Sequence, residues 1–356
     1  MEHALGLARK GIGLASPNPT VGCVIVKDGA ILGEGFHQYD RREHAEIVAL
    51  KQAGEKASAA TMYVTLEPCN VTGRTGPCSE AIIGAGVSRV VAAMPDPNPK
   101  VSGGGFARLR SAGIEVETGT MEPEAQKLNE AFAHWITTKR PFVTLKSALT
   151  LDGQLALHRK GGNKKHEWVT GEESRAEVHR LRHAADALLT GIGTILADDP
   201  LLTDRSGLAR RRRLLRVVLD SQLCLPLDSR IVKTADDDLL VVTAVSPKMP
   251  KARKLQKLGV ELLHTKARRG KIALGGLLQQ LGRRDILSVL LEAGPELNAA
   301  ALQAGAVQKL LLFYAPKIVG SVGVPFVHVA ASLPPMHVTS VRQFGADVAI
   351  ELMSGK

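Results

Sequence analysis

Apolar residues recur along this chain in short blocks separated by polar, turn-rich segments, and the blocks switch between two periods. Residues 2–10 carry apolar side chains at helical spacing, whereas 21–26 is a continuous apolar run of strand length. Lys27-Asp28-Gly29 supplies a hairpin turn into a second strand over 30–35. The pattern then predicts a helix over 45–53, a strand over 62–66, a helix over 79–85 and a strand over 89–93. A helix over 122–135 leads to Lys139-Arg140-Pro141, after which the alternation restarts. Strands follow over 142–146, 187–190, 216–219, 239–243, 260–263, 288–291 and 309–314, with a helix over 174–184. Alternating β and α blocks predict an α/β protein of two domains, 1–140 and 141–356, with no strict repeat relating them.

The length, 356 residues, suffices for two cores, and a hydrophobic fraction of 44% is that of a globular protein. The net charge of +11 suits nucleic acid, phosphorylated small molecules or a merely basic surface. Its densest run, Arg210 to Arg213, lies between turn-like residues and a strand and reads as a solvated loop. Aromatic residues make up only 3%, which argues against a base-stacking platform. No signal-peptide layout opens the chain and no apolar run approaches a membrane span, so a cytoplasmic protein is expected, with no membrane partner. Val101-Ser102-Gly103-Gly104-Gly105 looks like a phosphate loop but lacks the Lys-Ser/Thr of a P-loop, and reads as a flexible connection.

Four cysteines are too few for a disulfide framework. Cys23 and Cys224 stand among apolar residues and read as buried thiols. Cys69 and Cys78 each follow a proline in turn-rich sequence, and His44-Ala45-Glu46 precedes them. One imidazole and two thiolates form a three-ligand Zn²⁺ set with an open fourth position. Glu46 is placed to move protons without ligating the metal, the constellation of zinc-dependent nucleobase deaminases. Eight residues separate the cysteines where the common deaminase pattern has two. Each predicted ligand falls at a helix beginning or beyond a strand end, where free N–H groups favour thiolates.

Ser16-Pro17-Asn18-Pro19-Thr20-Val21-Gly22-Cys23, Gly33-Glu34-Gly35-Phe36-His37, His44-Ala45-Glu46, Tyr63-Val64-Thr65-Leu66-Glu67-Pro68-Cys69, Gly73-Arg74-Thr75-Gly76-Pro77-Cys78 and Asp96-Pro97-Asn98-Pro99 occur in that order. Together they resemble the bifunctional deaminase/reductase family of riboflavin biosynthesis, in which this cysteine interval is normal. The resemblance implies an N-terminal cytidine-deaminase-like zinc domain that hydrolyses the 2-amino group of 2,5-diamino-6-ribosylamino-4(3H)-pyrimidinone 5′-phosphate. His44, Cys69 and Cys78 would hold zinc, Glu46 would be the proton shuttle, and Asn18 and His37 would contact substrate. Asn70-Val71 stands where the family has Ser-His, and Glu43 and Gly76 stand where it favours proline.

Residues 141–356 carry no Rossmann fingerprint. Glu292-Ala293-Gly294-Pro295 reads locally either as a phosphate-binding helix start or as an ordinary strand–helix junction. The same resemblance covers this half and implies a dihydrofolate-reductase-like domain that reduces the ribosyl group to ribityl with NADPH. Ala148, Trp168, Thr194, Asp198, Ser221 and the loop from Gly294 match its cofactor positions. Arg182, Leu202, Arg205 and Glu292 match its substrate positions, His166 stands at a further one where serine is usual, and Lys146 would orient the substrate. The partner is then a small phosphoribosyl pyrimidine, with a homo-oligomer left open. The rival is a nucleic-acid deaminase, such as a tRNA adenosine deaminase, fused to an unrelated α/β domain. A third reading is a zinc-stabilised binding protein without chemistry, against which Glu46 argues.

Overall fold

The computed structural model describes residues 1–73, 76–157, 168–268, 270–328 and 335–355. Two compact units make up the chain, residues 1–140 with 209–212, and residues 141–208 with 213–356.

The first unit runs α1 (Glu2–Lys10), β1 (Gly22–Lys27), β2 (Ala30–Phe36), α2 (Ala45–Ala53), β3 (Thr61–Val64), α3 (Cys78–Gly84), β4 (Arg89–Ala92), α4 (Gly104–Ser111), β5 (Glu115–Thr118), α5 (Glu122–Leu128) and α6 (Glu130–Thr138). Its sheet has the order β2-β1-β3-β4-β5, with β1 antiparallel to both neighbours and β3, β4 and β5 parallel. Leu5, Ile25, Met62, Ile82 and Leu109 meet in one core. On β2, a Cβ at Gly33 would lie 2.2 Å from the Ala49 carbonyl oxygen, and one at Gly35 2.5 Å from that of Ala45. Helix α2 therefore touches the sheet backbone to backbone, a contact only glycine permits.

The second unit runs β6 (Phe142–Thr150), β7 (Gln154–Leu157), α7 (Glu172–Ala184), β8 (Ala187–Gly191), α8 (Ile192–Asp198), β9 (Leu215–Leu219), α9 (Arg230–Lys233), β10 (Leu239–Thr243), α10 (Pro250–Lys257), β11 (Glu261–His264), β12 (Ala267–Arg268), β13 (Lys271–Ile272), α11 (Leu274–Arg283), β14 (Ser288–Leu291), α12 (Pro295–Gln303), β15 (Lys309–Ala315), β16 (Gly323–Pro325), β17 (Met336–Phe344) and β18 (Asp347–Ser354). Its main sheet has the order β11-β10-β9-β8-β14-β6-β15-β18-β17, parallel from β11 to β15 and antiparallel thereafter. Val217 and Leu240 pack into the core on one face, Val218 and Val241 into the core on the other. Both faces are covered, which is why these strands read as continuous apolar runs.

Four expectations change. The helix expected over 122–135 is two helices, because Asn129 turns away to bind residue 20: its Oδ1 accepts from the Thr20 amide (2.9 Å) and hydroxyl (3.1 Å), and its Nδ2 donates to the Thr20 carbonyl (3.0 Å). The supposed connection over 101–105 enters α4. Cys224 is exposed, since its neighbours Leu223 and Leu225 take the inward positions. Arg211 is no solvated residue: within the first unit its amide donates to the Gly13 carbonyl (2.8 Å) and its guanidinium lies 4.2 Å from the centre of the Tyr39 ring. The β17–β18 hairpin went unpredicted, because the register shift between Val338 and Ser340 breaks the alternation that would reveal it.

Candidate active sites

Helix α2 begins directly after His44, α3 begins at Cys78, and Cys69 follows β3 across the turn at Pro68. The His44 Nδ1 lies 3.1 Å from Cys78 Sγ and 3.5 Å from Cys69 Sγ. The ligand atoms of all three residues lie within 4.8 Å of one another, and among the described residues this is the set of such groups able to hold a metal. The donors, one imidazole nitrogen and two sulfurs at the edge of a buried carboxylate, fit zinc with a position to spare. The Cys78 thiol donates to Cys69 and, against the opposing effect of burial, holds its pKa down to about 4; the same bond pushes Cys78 up. The Cys78 amide also points at Cys69 Sγ, 3.4 Å away, so a helix N-terminus supports the thiolate. Glu46 is only 3% exposed, and burial raises its pKa although His44 opposes the rise.

Asn18 and His37 join this set. His37 is buried beside His44, ring centroids 5.4 Å apart and edge-on. Its Nδ1 lies 2.8 Å from the Glu43 carbonyl oxygen and so donates, leaving Nε2 to accept from Asn18 Nδ2 at 3.0 Å. Glu43 replaces proline without loss, since the backbone carbonyl makes this contact while the side chain pairs with Lys51. Val71 is 43% exposed.

Sequence reasoning missed Glu67. Its carboxylate is 3% exposed and accepts four backbone N–H groups. Asp96 (3.2 Å) and Gly103 (2.9 Å) donate to Oε2, and Gly105 (2.9 Å) and Phe106 (3.2 Å) to Oε1. The amides of the glycine-rich segment thus already hold an anion, one built into the chain. A Cβ at Gly105 would lie 1.9 Å from the Pro68 carbonyl oxygen, and one at Gly104 2.2 Å from Asn70 Nδ2. The segment therefore packs directly on the turn that carries Cys69, and Gly104 makes room for Asn70. Burial pushes Asp96, at the start of this segment, up to about 6.

In the second unit, β9, β8, β14 and β6 are parallel neighbours. Ser221, Thr194 and Gly294 follow the carboxyl ends of β9, β8 and β14, and Lys146 and Ala148 lie in the carboxyl-terminal half of β6. Open α/β sheets bind ligands along this edge. Gly294 precedes α12 with no side-chain cap and open space around its α-carbon, so the helix N-terminus can receive a phosphate. Arg182 Nε and Nη2 fork onto Glu292 at 2.7 and 3.0 Å, and Lys146 Nζ lies 3.9 Å from the same carboxylate. Burial raises the Glu292 pKa, but Arg182 and Lys146 overcome it and hold the group down to about 2. Lys146 is lowered, by burial, against the attraction of Glu292. Leu202 is buried, and Arg205 and Asp198 are exposed. Trp168 is half exposed, with the Arg175 guanidinium 5.3 Å from its ring centre. His166 lies outside the described residues. His179, one turn before Arg182 on α7, was also missed; burial and the charges of Arg182 and Arg205 lower its pKa.

The zinc-binding region of cytidine and deoxycytidylate deaminases matches residues 1–94, and the RibD C-terminal domain matches residues 141–350. The riboflavin biosynthesis protein RibD of Actinobacillus pleuropneumoniae is 44% identical over 320 residues, 90% of this chain and 84% of that protein. The chain belongs to the RibD family.

Two solved RibD-family structures resemble the whole chain. RibD of Acinetobacter baumannii superposes with a TM-score of 0.86 at 38% identity, covering 100% of this chain and 98% of that one. A diaminohydroxyphosphoribosylaminopyrimidine deaminase/5-amino-6-(5-phosphoribosylamino)uracil reductase from Thermotoga maritima gives 0.85 at 37% identity, covering 100% and 97%. As a RibD-family protein the chain is a bifunctional enzyme of riboflavin biosynthesis, a cytidine-deaminase-like zinc hydrolase followed by a dihydrofolate-reductase-like, NADPH-dependent reductase. The rival reading, a nucleic-acid deaminase with an unrelated second domain, fails because the second half matches the RibD reductase model. Among the described residues no helix is long and apolar enough to cross a membrane.

Proposed function

We propose that residues 1–140 deaminate the pyrimidine and residues 141–356 reduce its ribosyl group, with the chemistry divided among side chains as follows. His44, Cys69 and Cys78 hold zinc, which when bound lowers the pKa of a water towards neutrality. Glu46 takes one proton from the attacking water at its carboxylate and gives it to a ring nitrogen, then takes that water's second proton and gives it to the departing amine; its raised pKa suits both directions. Asn18 and the Nδ1-protonated His37 orient the pyrimidine beside them. The observation that carries this reading is the convergence of three soft donor atoms within 4.8 Å beside a buried carboxylate.

In the reductase half NADPH, when bound, would supply the hydride that reduces the ribosyl group to ribityl, with a proton from solvent completing the reduction. Ala148, Trp168, Thr194, Asp198, Ser221 and the helix start at Gly294 hold the cofactor along the strand ends. Arg205 binds the 5′-phosphate, and Arg182, Leu202, Glu292 and His166 complete the substrate site. Lys146, kept close to Glu292, faces the reacting sugar. Thiolate ligands and free cysteines, with none of the four in a disulfide, suit a reducing cytoplasm, where a phosphorylated small molecule is the partner.

Glu46→Gln tests the division of labour. Ammonia release from the diaminopyrimidine phosphate should fall by about 10²-fold or more, while NADPH oxidation with supplied uracil intermediate continues at the wild-type rate. Unchanged ammonia release would sink the proton-shuttle assignment.

A further inference from the structure

The segment over 199–206 in the second unit carries two of the proposed substrate residues, Leu202 and Arg205, and it is held in an unusual way. Leu202 has φ +54°, in the left-handed region that a leucine enters only when its surroundings hold it there. The carbonyls on both sides of it are gripped by buried arginines. Arg216 Nη1 donates to the Leu201 carbonyl at 3.0 Å, and Arg182 Nη1 donates to the Thr203 carbonyl at 3.2 Å. Beyond them, Asp199 Oδ1 accepts the Arg230 amide at 2.8 Å, and Asp204 pairs with His183 at 3.0 Å. The backbone is thus fixed on either side of a strained residue, and Arg205 stands exposed just beyond it.

Arg216 is the unexpected member. It lies on β9, wholly buried. Its other bonds run to Thr234 Oγ1 (2.9 Å), the Thr234 carbonyl (2.8 Å) and Asp238 Oδ1 (2.6 Å). Well-packed apolar residues commonly replace such buried pairs at no loss of stability, so stability alone does not explain a guanidinium here. What an apolar residue could not do is reach the Leu201 carbonyl with a donor while remaining anchored at the far end.

We infer that Arg216 is a positioning residue of the reductase: by holding the Leu201 carbonyl it fixes the left-handed turn at Leu202 and so sets where Arg205 meets the substrate phosphate. The inference rests on the reading of Leu202 and Arg205 as substrate residues.

The test uses the full-length enzyme at saturating NADPH with 5-amino-6-(5-phosphoribosylamino)uracil varied. Arg216→Met should raise KM for this substrate about tenfold, the loss of one hydrogen bond from a charged donor, with kcat and the KM for NADPH within about twofold of wild type. Arg216→Lys, which keeps a cation beside Asp238 but has no fork, should raise KM in the same direction and serves if the methionine variant does not fold. Asp238→Asn is the matched control: it removes the ion pair but leaves Leu201 its donor, so the melting temperature should fall while KM stays put. A wild-type KM in both Arg216 variants, or an equal rise in Asp238→Asn, overturns the positioning role. Arg205→Ala is measured alongside. If it raises KM and the Arg216 variants do not, only the positioning role fails; if it leaves KM unchanged, the phosphate assignment itself is wrong.

Discussion

Replacing Glu67 with glutamine removes no volume, yet it should cost the first unit a large part of its stability. The carboxylate accepts two N–H groups at each oxygen, from Asp96 and Gly103 on one and Gly105 and Phe106 on the other. Glutamine offers one carbonyl oxygen, and its amide nitrogen is itself a donor. Whichever way the side chain turns, two N–H groups face another donor and lose their acceptor, and of the four only that of Gly103 is partly exposed. Each buried orphan costs about 1–3 kcal/mol, so the substitution should destabilise by about 1–6 kcal/mol, a large share of the roughly 5–15 kcal/mol that typically holds a domain together. The loss concerns the zinc site directly, because the segment packs against the carbonyl of Pro68, next to Cys69. Urea unfolding followed by zinc release, with reductase activity recorded in the same samples, measures it. The zinc-release midpoint should move to lower urea and the reductase midpoint should not. A shift worth less than about 1 kcal/mol, with zinc affinity intact, would show that the four contacts contribute little and that the reasoning is wrong.

Cys78→Ser should cut bound zinc and deamination together, read by metal analysis and ammonia release, while reduction of supplied uracil intermediate persists; full zinc occupancy would remove Cys78 from the ligand set. Glu292 supplies a pH test. Its folded pKa, about 2, lies below the ordinary value of 4.5, so its stabilising contribution is complete above about pH 4.5 and is lost as pH falls towards 2. Glu292→Gln should therefore flatten the acid limb of the second unit's stability below pH 4.5, and an unchanged acid limb would contradict the depressed pKa.

The zinc set was legible because its chemistry is local. A histidine, a glutamate and two Pro-Cys turns identify themselves by type and spacing, and the predicted helix beginnings put His44 and Cys78 where they stand. The parallel strands of the second unit were legible because burial on both faces leaves long apolar runs. What escaped depends on contacts between distant residues. Glu67 looks like one more acidic residue until residues 96–106 fold over it, and Gly103-Gly104-Gly105 looks like a linker until Pro68 and Asn70 prove to lie against it. Asn129 breaks a helix for the sake of Thr20, 109 positions away in sequence. Arg216 belongs to an apolar strand, and nothing near it in sequence announces the Leu201 carbonyl that it holds.

The glycines of β2 have a consequence for how the deaminase half meets heat. Helix α2 begins right after His44 and carries Glu46 in its first turn, and it rests on Gly33 and Gly35 through main-chain atoms and the Cβ of Val48, none of which moves with a rotamer. Side chains cushion most helix–sheet contacts, and they let a helix drift as rotamers change. Here that cushion is missing, so the histidine and the proton-carrying glutamate move only if the sheet moves. Deamination should follow a straight Arrhenius line up to the temperature at which the first unit melts and then stop abruptly, without the gradual bend of a site that loosens before it unfolds.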